Sequence, residues 1–384
     1  MSSRFRIVVF GCALVSASPA FSQTNAAPPK PACAVQPPAS LPWNATAQWL
    51  AGVDSSAANA AMTPEERTAW AGYSKLTATD WSKLQNQYLN RIDSWRSKAL
   101  ANTPARDVGF YPFSGPDVAN MITFFPDAKE YLLIGLEPVG CVPSNVADYA
   151  PAYFTDLRQS LETVVASGFF RTEGMSHDLK ETSVSGVLPL LLFLMSRSGF
   201  TIVDAKPIQI DSNGMLTASP TQPPGETQGL AIQFSDQRHG VRTLRYFSLN
   251  LENTRIRKKP GTLKYLNGLP ETVTLVKSAS YLMHKTYFST TRNLVLAKSR
   301  VLVQDDSGVP FHYFTPETWD LHLFGTYLGP IDLFKDWFQD DLKAAFAEPK
   351  DVQPLSFAIG YRHRLESNLL VGIRKDVPPA TPRK

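Results

Sequence analysis

From about residue 105 onward, short apolar runs that predict strands alternate with segments that predict helices. The run 108–111 leads into a turn at 112–117, a short helix over 118–125 and a strongly apolar run at 131–136. Strand–helix–strand succession of this kind favours a parallel or mixed sheet with helices packed on its faces. We therefore predict an α/β fold, with a Rossmann-like mixed sheet in the first half, an α+β second half and a helical N-terminal segment.

Changes in composition divide the chain of 384 residues into seven parts. They are a signal peptide (1–22), a Pro- and Ala-rich tether (23–42), a helical segment (43–104), a Rossmann-like α/β half (105–217), a linker (218–228), an α+β half (229–376) and a disordered tail (377–384). The linker is rich in Pro and Gly, which interrupt regular structure. A chain of this length suggests about two domains.

The helical segment contains two signals for the start of a helix. Thr63 and Glu66 form a capping box with Pro64 at the first helical position. A second helix is expected to begin at Thr79 or Asp80. Its apolar residues recur at spacings of three and four: Trp81, Leu84, Tyr88, Ile92 and Trp95. We interpret this aromatic stripe as core packing rather than as a ligand groove.

The first 22 residues are typical of a secretory signal peptide. Arg4 and Arg6 precede an apolar stretch at 7–17, and the small residues Ala20 and Ser22 occupy positions −3 and −1 of a cleavage site. We expect cleavage after Ser22 and a soluble mature protein that is periplasmic or secreted. No other apolar run reaches the length of about 20 residues that a membrane span needs.

Two cysteines, Cys33 and Cys141, remain after this cleavage. An even number of cysteines in an oxidising compartment predicts a Cys33–Cys141 disulfide, and the alternative is two free thiols. Cleavage before Cys12 to give a lipoprotein fits less well, because bulky Phe10 sits where a small residue is usual. Two cysteines cannot form a zinc site without histidine, and there is no C-x-x-C spacing, so we expect no metal site. We also expect no cofactor.

The charge pattern gives no support for a nucleic-acid partner. The formal net charge is +4, it falls to +2 without the two leader arginines, and no basic stripe stands out. With 43% hydrophobic and 19% charged residues, the composition excludes wholesale disorder. The oligomeric state stays open.

The first candidate site lies at the predicted carboxyl ends of the first-half strands. Ser114, Asp117 and Glu137 are expected there, with Tyr111 able to stack on a ring. Sheets of this class leave a crevice at that edge, in which small molecules bind. We predict that these four residues bind a small-molecule or carbohydrate ligand.

The same stretch is similar to the first βαβ unit of the S-adenosylmethionine-dependent methyltransferases. The similarity covers about 35 residues, and Glu137 follows Gly115 at about the spacing of the acidic residue that holds a ribose hydroxyl. The resemblance implies a Rossmann-like fold with a nucleotide-type ligand. This chain departs from the pattern because Gly115 is the only glycine of the loop and Pro116 lacks an N–H. A shared fold without nucleotide binding is therefore the favoured interpretation.

The second candidate site is the adjacent acidic pair Asp305 and Asp306, after a predicted strand. Close carboxylates raise one another's pKa, which suits acid/base catalysis, and His284 or His312 could assist. The alternative is a plain turn, because the sequence Asp-Asp-Ser-Gly is typical of turns. A hydrolase or transferase built on Asp305, Asp306 and His284 is the rival to the ligand-binding hypothesis.

A third pattern surrounds Lys277. The S-x-x-K motif needs a serine three residues before the lysine, and Thr274 occupies that position. Thr274 lies in a predicted strand, so the two side chains would lie on opposite faces. A Ser280–His284 pair has no acid placed beside it, so we interpret these residues as structural.

Three segments also resemble an uncharacterised family of exported bacterial proteins. They are YPFSGPD (111–117), QDDSGVPF (304–311) and FGTY (324–327). This resemblance implies export and brings no activity or functional residue. The leading hypothesis is thus an exported ligand-binding or accessory protein of the cell envelope. The alternatives are the hydrolase or transferase and a structural envelope protein without a small-molecule site.

Overall fold

The computed structural model describes residues 33–144, 151–167, 183–218, 227–348, 352–362 and 367–376. The predicted signal peptide, the first ten residues of the predicted tether, most of the predicted linker and the predicted tail 377–384 lie outside the described residues. Within the described part, no helix is long and apolar enough to cross a membrane.

After one two-residue strand, the described ranges continue with a group of helices, and strands and helices follow. Up to the linker they are β1 (Cys33–Ala34), α1 (Trp43–Leu50), α2 (Ser56–Ala61), α3 (Pro64–Leu84), α4 (Asn90–Ala99), β2 (Val108–Tyr111), α5 (Val118–Phe124), β3 (Glu130–Gly135), β4 (Val142–Pro143), α6 (Pro151–Ser167), α7 (Leu188–Arg197), β5 (Thr201–Ile210) and β6 (Leu216–Thr217). After it they are β7 (Thr227–Ser235), β8 (Arg242–Ser248), α8 (Asn253–Ile256), α9 (Pro260–Asn267), β9 (Thr272–Val276), α10 (Ser289–Lys298), β10 (Ser299–Gln304), β11 (Trp319–Gly325), α11 (Asp340–Phe346), β12 (Val352–Gln353) and β13 (Asn368–Arg374).

Eleven strands of the described ranges form one mixed sheet, which confirms the predicted α/β class. Their order across the sheet is β12-β11-β13-β10-β9-β2-β3-β8-β7-β5-β6. The five central strands, β8, β3, β2, β9 and β10, are parallel to one another. Counted along the chain as strands one to five, they stand in the order 3-2-1-4-5, which is the order of doubly wound nucleotide-binding sheets.

Antiparallel strands extend this centre on both sides. On one side β13 runs antiparallel between β10 and β11. On the other side β7 pairs antiparallel with β8 and with β5. β5 precedes the predicted linker 218–228, whereas β7 begins within its last two residues and continues into the second half. Strands from both predicted halves therefore pair directly within the same sheet.

The sheet separates two hydrophobic layers. Side chains alternate across each strand, so Tyr111 and Leu133 belong to one layer whereas Phe110 and Leu132 belong to the other. Residues of α1 to α7 complete the first layer, and residues of α8 to α10 complete the second. Each fully buried Leu or Phe contributes roughly 1.5–3 kcal/mol, so both layers hold the central strand ends in place.

The N-terminal helices confirm one helix start and correct another. Thr63 Oγ1 accepts from the Glu66 amide (3.2 Å) and Glu66 Oε2 accepts from the Thr63 amide (2.8 Å), as the capping box predicts. The expected start at Thr79 or Asp80 is wrong, because both residues lie inside α3. The Thr79 hydroxyl donates to the carbonyl of Lys75 (3.0 Å), which a helix interior tolerates.

The aromatic stripe is core packing, as predicted. It continues from α3 through a π-helical turn (Gln85–Leu89) into α4. All five of its residues are buried: Trp81, Leu84, Tyr88, Ile92 and Trp95. The Trp95 ring packs edge-on against Phe124 and Phe324, which fixes α4 against α5 and the sheet.

Candidate functional site

A pocket of about 200 Å³ lies over the carboxyl ends of the parallel strands. It is lined by residues 112–115 after β2, residues 134–137 at the end of β3, residues 249–251 after β8, residues 278–280 after β9, and by Leu282 and Phe288. Parallel strands bring their carboxyl ends to one edge, and a crevice forms where the chain order changes direction. We refer to this cavity as the strand-end pocket.

Ser114 and Glu137, two of the predicted ligand-binding residues, line this pocket together. The amide and the hydroxyl of Ser114 both donate to the carbonyl of Ile134, at 2.9 and 3.2 Å, and so tie the turn after β2 to β3. Gly135 allows this close approach. A Cβ atom there would lie 2.5 Å from Glu137 Oε2 and 2.8 Å from the Cα of Gly115.

Glu137 carries a buried carboxyl group, with only 2% of the residue exposed. The hydroxyl of Tyr246 donates to the main-chain oxygen of Glu137 (2.8 Å) and lies 3.3 Å from Oε2. Burial raises the pKa of Glu137 above its ordinary value, and hydrogen bonds from the backbone and from Tyr246 partly oppose this effect. The group is thus held in one orientation at the edge of the pocket.

The other two predicted ligand-binding residues, Tyr111 and Asp117, are not among the residues that line the pocket. Lys277 Nζ lies 2.9 Å from Asp117 Oδ2, and the Tyr111 hydroxyl donates to the same oxygen (3.1 Å). The side-chain amide of Asn120 donates to Asp117 Oδ1 (2.8 Å), beside the first turn of α5. Asp117 and Tyr111 therefore belong to a buried network that joins β2, α5 and the end of β9.

The loop after β9 has an unusual backbone. Ser278, Ser280 and Tyr281 have φ values of 50°, 51° and 52°, in the left-handed region that non-glycine residues rarely adopt. Hydrogen bonds hold this conformation: Ser278 N donates to Asp305 Oδ2 (2.8 Å), and Tyr361 OH donates to the Ser278 carbonyl (2.7 Å). Strained residues of this kind cost about 1–3 kcal/mol each and cluster at functional sites.

Asp305 has the geometry of a turn residue. Its Oδ1 accepts from the amide (3.0 Å) and the hydroxyl (2.5 Å) of Ser307, and its carbonyl accepts from Gly308 N (3.2 Å). The side chain is fully enclosed, so burial, together with the adjacent charge of Asp306, raises the pKa of Asp305. The carboxylate fixes both its own turn and the loop after β9.

Asp306 and His284, predicted as catalytic partners of Asp305, make other contacts. Asp306 accepts from Tyr281 OH (2.5 Å) and from the Asn368 amide (3.0 Å), and burial raises its pKa. Burial also lowers the pKa of His284 to about 4, so the ring is neutral at pH 7. Among the described residues, no hydrogen bond joins His284 to either carboxylate, and none of the three lines the strand-end pocket.

Lys277, the buried ion-pair partner of Asp117, was not predicted as a site residue. Lys277 stood out only for its S-x-x-K spacing, whereas its position directly after the buried strand β9 is the signal that matters. Polar residues just beyond parallel strands meet at one edge. The described ranges contain no cluster of three or more His, Cys, Asp or Glu residues that could hold a metal ion.

Comparison with known proteins gives no family assignment. Neither a protein-family model, nor a curated protein, nor a solved structure matches this chain.

Proposed function

We propose that this protein binds, in the strand-end pocket and without a metal ion, a small ring ligand that carries neighbouring hydroxyl groups. The observation that carries the proposal is the position of Glu137, at the end of the strand next to β2 and at the edge of the pocket. In doubly wound sheets an acidic residue at this place accepts hydrogen bonds from a ribose diol. The resemblance of residues 108–137 to a methyltransferase βαβ unit supports the same assignment.

The rest of the lining favours a nucleoside over a free sugar. Leu136, Leu249, Leu251 and Phe288 give the pocket a predominantly apolar wall, which suits the flat face of a base. A volume of about 200 Å³ is below the usual 300–1,000 Å³ of ligand sites, so a dinucleotide is too large. Pro116, next to the lining residue Gly115, has no N–H to offer a phosphate, which favours an uncharged nucleoside over a nucleotide.

The second part of the proposal is that the protein is exported and acts as a binding or accessory protein of the cell envelope. Its support is the leader sequence, which combines basic, apolar and small residues in the order of a signal peptide. Expression of the full chain in a Gram-negative host, followed by N-terminal sequencing, checks it. A mature protein that begins at Gln23 is expected, and a cytosolic protein that retains Met1 would contradict export.

Ligand binding is tested by thermal shift and calorimetry with adenosine, 2′,3′-dideoxyadenosine, ribose and glucose. Adenosine should raise the melting temperature, because a ligand that binds only the folded state stabilises it by mass action. Loss of the diol should weaken binding by about 10- to 100-fold, since hydrogen bonds to a charged group contribute about 1.5–3 kcal/mol. If ribose or glucose binds and adenosine does not, the ligand is a carbohydrate and not a nucleoside. If none of the four compounds raises the melting temperature, the proposal is refuted.

Two variants, one at the start of β3 and one just past its end, locate the effect. Glu137→Gln keeps the shape but removes the carboxylate, so adenosine affinity should fall by at least 10-fold. Glu130→Gln is the matched control, because Glu130 begins β3 at the opposite edge and pairs there with Arg245. Equal affinity loss in both variants would show that the strand-end pocket is not the site.

A further inference from the structure

A second and larger cavity, of about 550 Å³, lies among the N-terminal helices. We call it the helical cavity: its wall comes from Trp49 in α1, Met62 after α2, the face of α3 that carries Trp70, Gly72 and Tyr73, and Phe154 in α6. It falls within the 300–1,000 Å³ typical of small-molecule sites. It is separate from the strand-end pocket, and the two share no lining residue.

The polar atoms of its aromatic wall are engaged with protein groups. Trp49 Nε1 donates to Met62 Sδ (3.2 Å), and Trp70 Nε1 donates to the carbonyl of Trp49 (3.0 Å). The Tyr73 hydroxyl donates to the carbonyl of Leu50. These rings therefore offer a ligand their apolar faces and edges, which favours a hydrocarbon chain or a ring without polar substituents.

Gly72 keeps the wall of α3 open. It lies inside a helix of 21 residues, where glycine costs about 1 kcal/mol relative to alanine. Its φ is not in the left-handed region, and a Cβ atom placed on it would meet nothing within 4 Å. Neither backbone conformation nor close packing therefore requires glycine at this position, and its effect is to leave space in the cavity.

The charges at the cavity are unequal. Glu65 and Glu66 line it at the first turn of α3. Arg158 in α6, the basic residue among those that line the cavity, already donates to Asp80 Oδ2 (2.7 Å). An excess of negative charge beside aromatic faces favours cations, because carboxylates attract them and ring faces add a cation–π contribution.

From these observations we propose that the helical cavity is a binding site for an amphiphilic cation, an apolar chain with an ammonium head group. The apolar part lies against Trp49, Trp70 and Phe154, and the head group faces Glu65. This site is independent of the strand-end pocket and of any nucleoside that binds there.

Calorimetry and tryptophan fluorescence with dodecyltrimethylammonium and with laurate, each below its micelle concentration, test the proposal. The cation should bind at least 10-fold more tightly than the anion and should change the fluorescence of Trp49 and Trp70. Glu65→Gln should reduce that preference by several-fold. A wild-type protein that binds neither probe, or binds laurate as well as the cation, would overturn the proposal.

Gly72→Leu places a side chain in the cavity, and Gly72→Ala is its matched control. Both should melt at or above the temperature of the wild type, because each removes a glycine from a helix interior. Binding of dodecyltrimethylammonium should fall by at least 10-fold in Gly72→Leu and stay within about 2-fold in Gly72→Ala. Undiminished binding by a folded Gly72→Leu protein would place the cation elsewhere and refute the assignment.

Discussion

Lys277 Nζ lies 2.9 Å from Asp117 Oδ2, and the two side chains are 1% and 2% exposed. This buried ion pair joins the end of β9 to the start of α5, across the pair of strands at which the chain order of the sheet changes direction. Removing two charges from water costs several kcal/mol per ion, so such a pair persists only with further hydrogen bonds. Asp117 receives them from Tyr111 and Asn120.

Loss of one partner should therefore destabilise the fold strongly. Lys277→Met leaves Asp117 buried without its cation, and the free energy of unfolding should fall by about 3–5 kcal/mol in urea denaturation. Lys129→Met is the control, because the pair of Lys129 with Asp107 is exposed and should contribute at most about 1 kcal/mol.

The double variant Lys277→Met, Asp117→Asn measures the interaction between the two side chains apart from the contacts that each makes with other residues. Without the carboxylate charge, the lost cation matters less, so the double variant should be destabilised by less than the sum of the two single variants. Additive effects would mean that Lys277 and Asp117 contribute independently of each other.

The sequence predicted most of the fold because its signals are local. The apolar run at 108–111 and the turn after it became β2 and the loop that lines the strand-end pocket, at the predicted boundaries. The capping box at Thr63 also depends only on residues three apart. The false helix start at Thr79 arose because a threonine hydroxyl can bond within a helix as well as cap one.

Pairings between distant segments were not predictable in the same way. The register of β2 with β9 joins residues about 165 positions apart, and no local pattern fixes it. The ion pair of Lys277 with Asp117 follows from that register. The sequence predicted that Ser114 and Glu137 lie at one site, because they follow strands that are consecutive in the chain. Ser278 and Phe288 line the same pocket because of the strand order in the sheet, which no local pattern indicates.

Stability should depend on pH through the buried carboxyl groups. Burial raises the pKa values of Asp305, Asp306 and Glu137 in the folded state above those in the unfolded chain. The folded state then binds more protons than the unfolded state just above pH 4. These carboxyl groups therefore lower the free energy of unfolding as the pH rises from about 4 towards 7. His284, whose pKa is lowered to about 4 by burial, acts in the opposite direction over the same range, because its unfolded form binds more protons there.

Relative to the wild type, Asp306→Asn should lose less stability between pH 4 and 7, by about 1.4 kcal/mol for each unit by which the pKa of Asp306 is raised. Asp376→Asn is a matched control, because Arg300 lowers the pKa of the exposed Asp376, which then titrates below this range. Chemical denaturation at half-unit pH steps measures both. An identical pH dependence in wild type and Asp306→Asn would mean that Asp306 does not titrate in this window.

The backbone of β1 supports the predicted Cys33–Cys141 disulfide. Residues 33 and 34 pair antiparallel with Pro143 and Val142, so the chain at Cys33 runs beside the strand that directly follows Cys141. The bridge would close a loop of about 110 residues and stabilise by about 4–5 kcal/mol in the chain-entropy model. Mass spectrometry of unreduced, alkylated protein should show the linked peptides, and two alkylated cysteines in the folded protein would disprove the bridge.

The strained loop after β9 should respond to glycine at position 278. Ser278 has a φ of 50°, and its hydroxyl has no hydrogen-bond partner among the described residues. Ser278→Gly therefore relieves backbone strain without the loss of a side-chain hydrogen bond, and the free energy of unfolding should rise by up to about 1 kcal/mol. The greater freedom of the loop should at the same time weaken ligand binding at the strand-end pocket by a few-fold, because binding must then order the loop.

Ser278→Ala distinguishes the backbone from the hydroxyl. Alanine removes the same buried oxygen but keeps the unfavourable φ, so this variant should gain less stability than Ser278→Gly. If alanine and glycine stabilise equally, the cost at this position lies in burying the unpaired hydroxyl rather than in the backbone. If glycine destabilises the protein, the backbone at position 278 carries no strain that glycine can relieve, and the premise of a strained loop after β9 is wrong.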